Sequence, residues 1–208
     1  PHAGYSFSGA AAGAVFSGLK NIPFDTLVIL GTGHAMALKN GALSGADFFD
    51  TPLGRVAVDS DICGELLREK KLFSDLPRAH AAEHSVEVQL PLLQALKGAS
   101  VKIVPLLFNS SDPELLSEAG RALGRVMKGR RALFCVSSDL SHYPPGDISE
   151  MSDRSLLLAL RLAMRSASPG YFGLASRLLL AKSAACMDTA ACGQAEAASG
   201  WVHGAALA

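Results

Sequence analysis

Two segments of this chain end apolar runs in residues that can ligate a metal or move a proton. The first reads Leu27-Val28-Ile29-Leu30-Gly31-Thr32-Gly33-His34. The second reads Phe134-Cys135-Val136-Ser137-Ser138-Asp139-Leu140-Ser141-His142-Tyr143. Short apolar runs bounded by turn residues read as buried strands. In open α/β sheets ligands bind beyond the carboxyl ends of the strands. His34 and the Asp139/His142 pair are therefore expected to converge, although far apart in sequence. Imidazole and carboxylate together suit transition-metal ligation or acid–base chemistry. Gly31 and Gly33 are expected to permit a tight turn and close backbone approach. Each segment also has a plainer reading, with Asp139 as an N-cap and His142 as a surface histidine. Either segment alone is explained that way; two such strand ends in one chain shift the balance toward a site.

Three weaker signals join them. Glu83-His84-Ser85 stands where a helix should begin, with Glu87 one turn on. The helix dipole explains the acidic residues. It does not explain His84, since a protonated imidazole is disfavoured at that end; a neutral ring that accepts or ligates fits, as does an exposed capping histidine. His80, in the polar stretch upstream, reads as loop rather than ligand. His2, in Pro1-His2-Ala3-Gly4-Tyr5, precedes a helix of small residues. Cys192, in Ala190-Ala191-Cys192-Gly193-Gln194, lies at a helix start, where the local positive potential favours thiolate; a small buried residue in an alanine-rich helix is the competing reading.

The elements that must position these residues alternate. Strands are expected at 26–30, at 101–108 and at 132–136, with Pro105 marking an edge or a bulge in the second. Residues 55–58 and 47–50 suggest a smaller pair across Thr51-Pro52-Leu53-Gly54. Helices are expected over 9–19, 60–70 (Asp59 or Ser60 as N-cap), 85–96, 113–127, 151–166 and 171–182. Short apolar strands alternating with helices point to an α/β three-layer sandwich around a central, mostly parallel or mixed sheet. Neither a repeat nor a linker interrupts it, so residues 1–208 read as one domain.

Composition narrows the function. Hydrophobic residues make up 49% of the 208 and charged residues 18%, an ordinary globular interior. The 19 basic and 19 acidic residues balance without a Lys/Arg block, which argues against nucleic-acid or anionic-membrane partners. No apolar run reaches membrane-spanning length. Cys63, Cys135, Cys186 and Cys192 form no CxxC pair and read as reduced thiols of a cytoplasmic protein, with Cys135 in the core.

Taken in order, PHAGYSFSG, LVILGTGH, TPLGRVAVD, AEHSVEVQLPLL, VSSDLSHY and ACG resemble the Memo family, which includes the AmmeMemoRadiSam system protein B group. The matching stretches cover most of residues 1–192. The resemblance implies a fold similar to the class III extradiol dioxygenases, the LigB-like proteins. It also implies a metal, iron or copper, held by two histidines and a cysteine: His2 of PHAGY, His34 after the Gly-x-Gly turn and Cys192 of Cys-Gly. SSDxSHY supplies Asp139 and His142 beside the metal, with His142 the acid/base by analogy with the dioxygenases. The family carries a strand before PHAGY and a longer stretch after Cys-Gly. The resemblance therefore implies that an N-terminal strand and a loop near residues 199–200 are missing from this sequence.

A thiolate in place of the carboxylate of a facial triad softens the site, so Fe(II), copper and zinc all enter as cofactors. The first expectation is an oxidoreductase on an unidentified small molecule, with His142 shuttling a proton, Asp139 fixing its tautomer and His84 lining the pocket. The alternatives are a metal- or peptide-binding adaptor without turnover, and a zinc hydrolase acting through metal-bound water.

Overall fold

The three long strands expected from the sequence are neighbours in one sheet. The computed structural model describes residues 1–141 and 145–165, with side chains to residue 158. Helix α1 (Tyr5–Ser17) leads into β1 (Thr26–Thr32), β2 (Gly41–Leu43) and the hairpin β3 (Phe48–Thr51) and β4 (Gly54–Ala57). Then come α2 (Ser60–Leu66), β5 (Phe73–Asp75), α3 (Pro77–His80), α4 (His84–Glu87) and α5 (Leu90–Lys97). The described chain ends with β6 (Lys102–Phe108), α6 (Pro113–Met127), β7 (Ala132–Val136) and α7 (Gly146–Arg165).

Five strands form a mixed, mostly parallel sheet in the order β5-β2-β6-β1-β7, and only the β2–β6 pair is antiparallel. Every residue of β1 is buried, because it lies between two parallel partners with both faces covered. Helices α1 and α5 pack together, and α4 sits on β1 and β6; α2 packs on α6 and on β6. This is the expected α/β architecture, consistent with a three-layer sandwich. Among the described residues, no helix is long and apolar enough to cross a membrane.

Local chemistry accounts for the helices. Asp112 caps α6 by accepting from the backbone N–H of Glu114 and Leu115, and Pro113 occupies the first turn, where its missing N–H leaves no bond unmade. Leu116, Ala119, Leu123 and Met127 then form the buried stripe. Asp59 rather than Ser60 caps α2; its Oδ1 accepts from the Ile62 N–H while Oδ2 accepts from the Thr26 hydroxyl.

Several expectations change. Pro105 lies in β6, between β1 and β2, not at an edge or a bulge. The backbone of Ile103 faces away from β1, since its carbonyl accepts from Asp59 N, and Pro105 two residues on faces the same way. That side of β6 is bridged by Val58 at Ile103 and by β2 only at Leu106 and Leu107, so the missing N–H falls between two partners. The helix expected over 85–96 is two helices, α4 and α5, broken at Val88 and Gln89, with Pro91 in the first turn of the second. The short strands β2 and β5 are too brief to show a period in the sequence. Cys135 is half-buried on the outer strand β7, although burial still pushes its thiol up to about 11.

Candidate metal centre

Strands β1 and β7 run parallel with Leu30 opposite Val136, so the segments that leave them reach the same edge of the sheet. His34 and Asp139 are thereby brought to one place. Asn109, just after β6, pins the loop after β1: its Nδ2 donates to the Gly33 and Met36 carbonyls and its Oδ1 accepts from Leu38 N. Helix α4 is brought onto the end of β1 by Ser85. Its hydroxyl accepts from Thr32 N and donates to Thr32 O, so one side chain satisfies both backbone groups as a neighbouring strand would. A Cβ at Gly31 would stand 2.6 Å from that hydroxyl oxygen and 2.8 Å from side-chain carbons of Leu107 and Val86. Gly31 and Gly33 both have ordinary negative φ. Close approach, and not a left-handed turn, is what requires glycine at 31.

Glu83 caps α4 by accepting from Ser85 N, and the same carboxylate organises two imidazoles. Oε2 accepts from the backbone N–H of His34 at 2.6 Å, and the His34 Nδ1 lies 3.0 Å and 3.2 Å from the two oxygens. The Nδ1 of His84 lies 3.6 Å from Oε1. Burial alone would raise the Glu83 pKa, but the hydrogen bond and charge of His34, with the two backbone N–H donors, outweigh it and hold the carboxyl at about 2. An ionised carboxylate can only accept, so His34 carries a proton on Nδ1, and in the neutral ring Nε2 is the nitrogen with the lone pair.

A separate network sets His2. The Pro1 carbonyl can only accept, so the amide nitrogen of Gln89 must face it, at 2.9 Å. The same nitrogen donates to Ser137 Oγ at 3.0 Å. Ser137 has one hydroxyl hydrogen and gives it to the Ser85 carbonyl at 2.5 Å. Towards His2 Nδ1, 3.2 Å away, its oxygen can therefore only accept. The proton of His2 is on Nδ1 and the lone pair on Nε2, as in His34. Burial pushes the His2 pKa down to about 3, against the attraction of Asp139, so the ring is neutral. Asp139 Oδ1 accepts from the His2 backbone N–H at 2.6 Å, and Oδ2 lies 3.8 Å from His2 Nε2.

One ligating nitrogen from each of His2, His34 and His84 lies within 4.8 Å of the other two. The His34 and His84 rings are stacked, with centroids 5.0 Å apart and 18° between planes. His2 stands edge-on to both, at 5.3 Å and 5.5 Å. Imidazoles oriented by a carboxylate or hydroxyl acceptor at the far nitrogen are what a late first-row metal favours in its ligands. The donor set fits iron, copper or zinc.

Of the residues singled out in the sequence, His2, His34, His84 and Asp139 come together. Cys192 and His142 lie outside the described residues, as does the helix expected over 171–182. His80 stays apart from the cluster as expected, but it ends α3 instead of lying in a loop, and it is buried, with Nε2 on the Ala42 carbonyl. The residues that sequence reasoning missed are Glu83, Ser85, Gln89 and Ser137. Glu83 and Ser85 were explicable as helix-start residues, and a buried glutamine or serine has no sequence signature.

A family model described as Memo-like protein matches residues 1–190. A MEMO1 family protein of Methanococcoides burtonii is 40% identical over 162 residues, 77% of this chain and 60% of that protein. A MEMO1 family protein of Aquifex aeolicus is 36% identical over 160 residues, 77% of this chain and 59% of the relative. One from Nitrosopumilus maritimus is 31% identical over 157 residues, 76% and 57% respectively. The matches thus span about 60% of the length of these relatives.

Proposed function

This chain belongs to the Memo family, and from that premise we propose that it binds one transition-metal ion and uses it in oxidoreductase chemistry. The observation that carries the reading is the gathering of His2, His34 and His84 with the tautomers of His2 and His34 preset for ligation. The metal would be held by His2, His34 and Cys192, with Fe(II) first and copper or zinc as alternatives. His84 and Asp139 stand beside these histidines, and His142 is the further residue that the family resemblance assigns to the pocket. Bound iron or copper supplies open coordination positions for dioxygen and an oxidisable small molecule, in the manner of the extradiol dioxygenases.

The protein's own groups do the rest. Glu83 holds the His34 proton on Nδ1, leaving Nε2 to face the metal, and Ser137 does the same for His2. The Asp139 carboxylate is anchored on the His2 backbone N–H and stands on the Nε2 side of that ring, where it can accept a proton from a bound substrate. His142, two residues beyond Leu140 in the same segment, takes the proton-shuttle role that the family resemblance assigns it.

Elemental analysis of protein purified without oxygen tests the site. About one equivalent of iron or copper is expected, falling to background in His34→Ala. Oxygen uptake with a panel of catechols tests the chemistry, and it should vanish in His34→Ala and Cys192→Ser. Bound metal without oxygen uptake would favour a binding protein, and anaerobic hydrolysis supported by zinc would favour a hydrolase.

A further inference from the structure

We infer that His84 is a direct nitrogen ligand of the metal, paired with His34 by the Glu83 carboxylate, so that the site has a three-imidazole face able to hold an ion without the thiolate. The inference rests on the metal-binding reading above and alters its ligand set, since His84 there only lines the pocket.

The argument is one of equivalence. His34 and His84 share two neighbours, the His2 ring and the Glu83 carboxylate. Their rings are close to parallel, and each stands edge-on to His2, at centroid distances of 5.3 Å and 5.5 Å and interplanar angles of 73° and 79°. The same Glu83 oxygen is the near neighbour of both Nδ1 atoms, hydrogen-bonded to His34 at 3.0 Å and 3.6 Å from His84. In an imidazole the two nitrogens lie on different edges, so a ring that turns Nδ1 to the carboxylate turns Nε2 away from it. A geometry that qualifies His34 as a ligand therefore qualifies His84.

The spacing agrees. An ion at about 2.1 Å from each of two tetrahedral ligands holds the donors about 3.4 Å apart. The observed nitrogens all lie within 4.8 Å of one another, so the gap to that spacing is at most about 1.4 Å. The chemistry also agrees. The Glu83 side chain is fully enclosed, and its Oε1 is shared between the Nδ1 atoms of His34 and His84, so one buried carboxyl orients both rings. Glu83 is on this account a positioning residue, because it acts on the metal through His34 and His84 together.

The test uses the full chain loaded with Cu(II) and reads pulsed EPR, in which coordinated imidazoles modulate the echo and can be counted. Wild-type protein should show three imidazoles and His84→Gln two, with affinity in the variant reduced at least about tenfold. Cys192→Ser should still bind Cu(II) with three imidazoles, and Cys192→Ser with His84→Gln should not retain it. Glu83→Gln should weaken binding about 10–100-fold and change the modulation pattern, which a residue serving only to hold the fold would leave alone. A count of two imidazoles in wild-type protein overturns the inference without any variant. So does an unchanged count and affinity in His84→Gln. Absence of any metal binding in wild type would overturn the proposed function itself, whereas binding abolished by His34→Ala but indifferent to His84 would overturn only this inference.

Discussion

Ser137→Ala removes one oxygen atom from the centre of the network and tests whether histidine tautomers are set by the protein. That oxygen donates to the Ser85 carbonyl at 2.5 Å and accepts from Gln89 Nε2 at 3.0 Å and from His2 Nδ1 at 3.2 Å. Ser137 is buried, and the space one oxygen leaves is too small for water. Each buried group left without its partner costs about 1–3 kcal/mol, so the three together predict a loss of roughly 3 kcal/mol or more in unfolding free energy. The second effect is on the ring. With no acceptor at Nδ1, the His2 proton is better placed on Nε2, facing Asp139 Oδ2 at 3.8 Å. A protonated Nε2 has no lone pair for a metal. Disturbing an outer-shell partner costs about 10–100-fold in metal affinity, or about 1.4–2.7 kcal/mol. Urea denaturation measures the first effect and chelator competition the second. Nitrogen-detected NMR of the metal-free protein should report His2 as Nδ1–H in wild type and Nε2–H in the variant. An Nε2–H tautomer in wild type would refute the hydrogen-bond reasoning. So would unchanged affinity in a variant that folds.

Gly31→Ala should destabilise by about 1–3 kcal/mol by overpacking, because its Cβ meets Ser85, Leu107 and Val86 at 2.6–2.8 Å; metal affinity should fall with it as α4 is pushed off β1. Chemical denaturation and chelator competition on one preparation check both. Leu106→Ala, at a fully buried position of the central strand β6, should cost about 2–5 kcal/mol with metal affinity little changed in the folded fraction. The pH dependence of the metal-free protein should carry a His80 component. Burial depresses the His80 pKa from 6.5 to about 4, so between those values the unfolded chain binds a proton that the folded chain does not. Stability is therefore full above pH 6.5 and falls as pH drops through this window, by roughly 3 kcal/mol for the full shift. Comparing urea midpoints of wild type and His80→Gln from pH 7 to 4 isolates that contribution, and parallel curves would show that His80 does not supply it.

Much of the architecture was legible because it depends on local pattern. Residues 26–30 and 132–136 are short apolar runs ending in Gly and Ser, and both are strands. Asp112-Pro113 opens α6 and the apolar stripe carries it to Met127, the bounds expected from the sequence. Where a feature depended on neighbours, the pattern misled. Pro105 looked like an edge residue because a proline cannot donate to a ladder, yet it is tolerated in the sheet where no partner reaches its nitrogen. The apolar residues over 85–96 suit one helix, and the break at Val88 and Gln89 is where Gln89 turns in to meet Pro1 and Ser137.

The chain by itself determined the family, and its ordered motifs named His2, His34, His84 and Asp139, of which only His34 and Asp139 follow strands that end at one edge of the sheet. Tertiary structure alone decided how those side chains are prepared. That Glu83 serves His34 as well as the adjacent His84, and that the Ser137 hydroxyl has its hydrogen committed before His2 reaches it, depends on contacts across 48 to 135 residues of chain. No local pattern encodes such contacts, because a tautomer is fixed by which acceptor the fold presents to the far nitrogen and not by the residues beside the histidine in sequence.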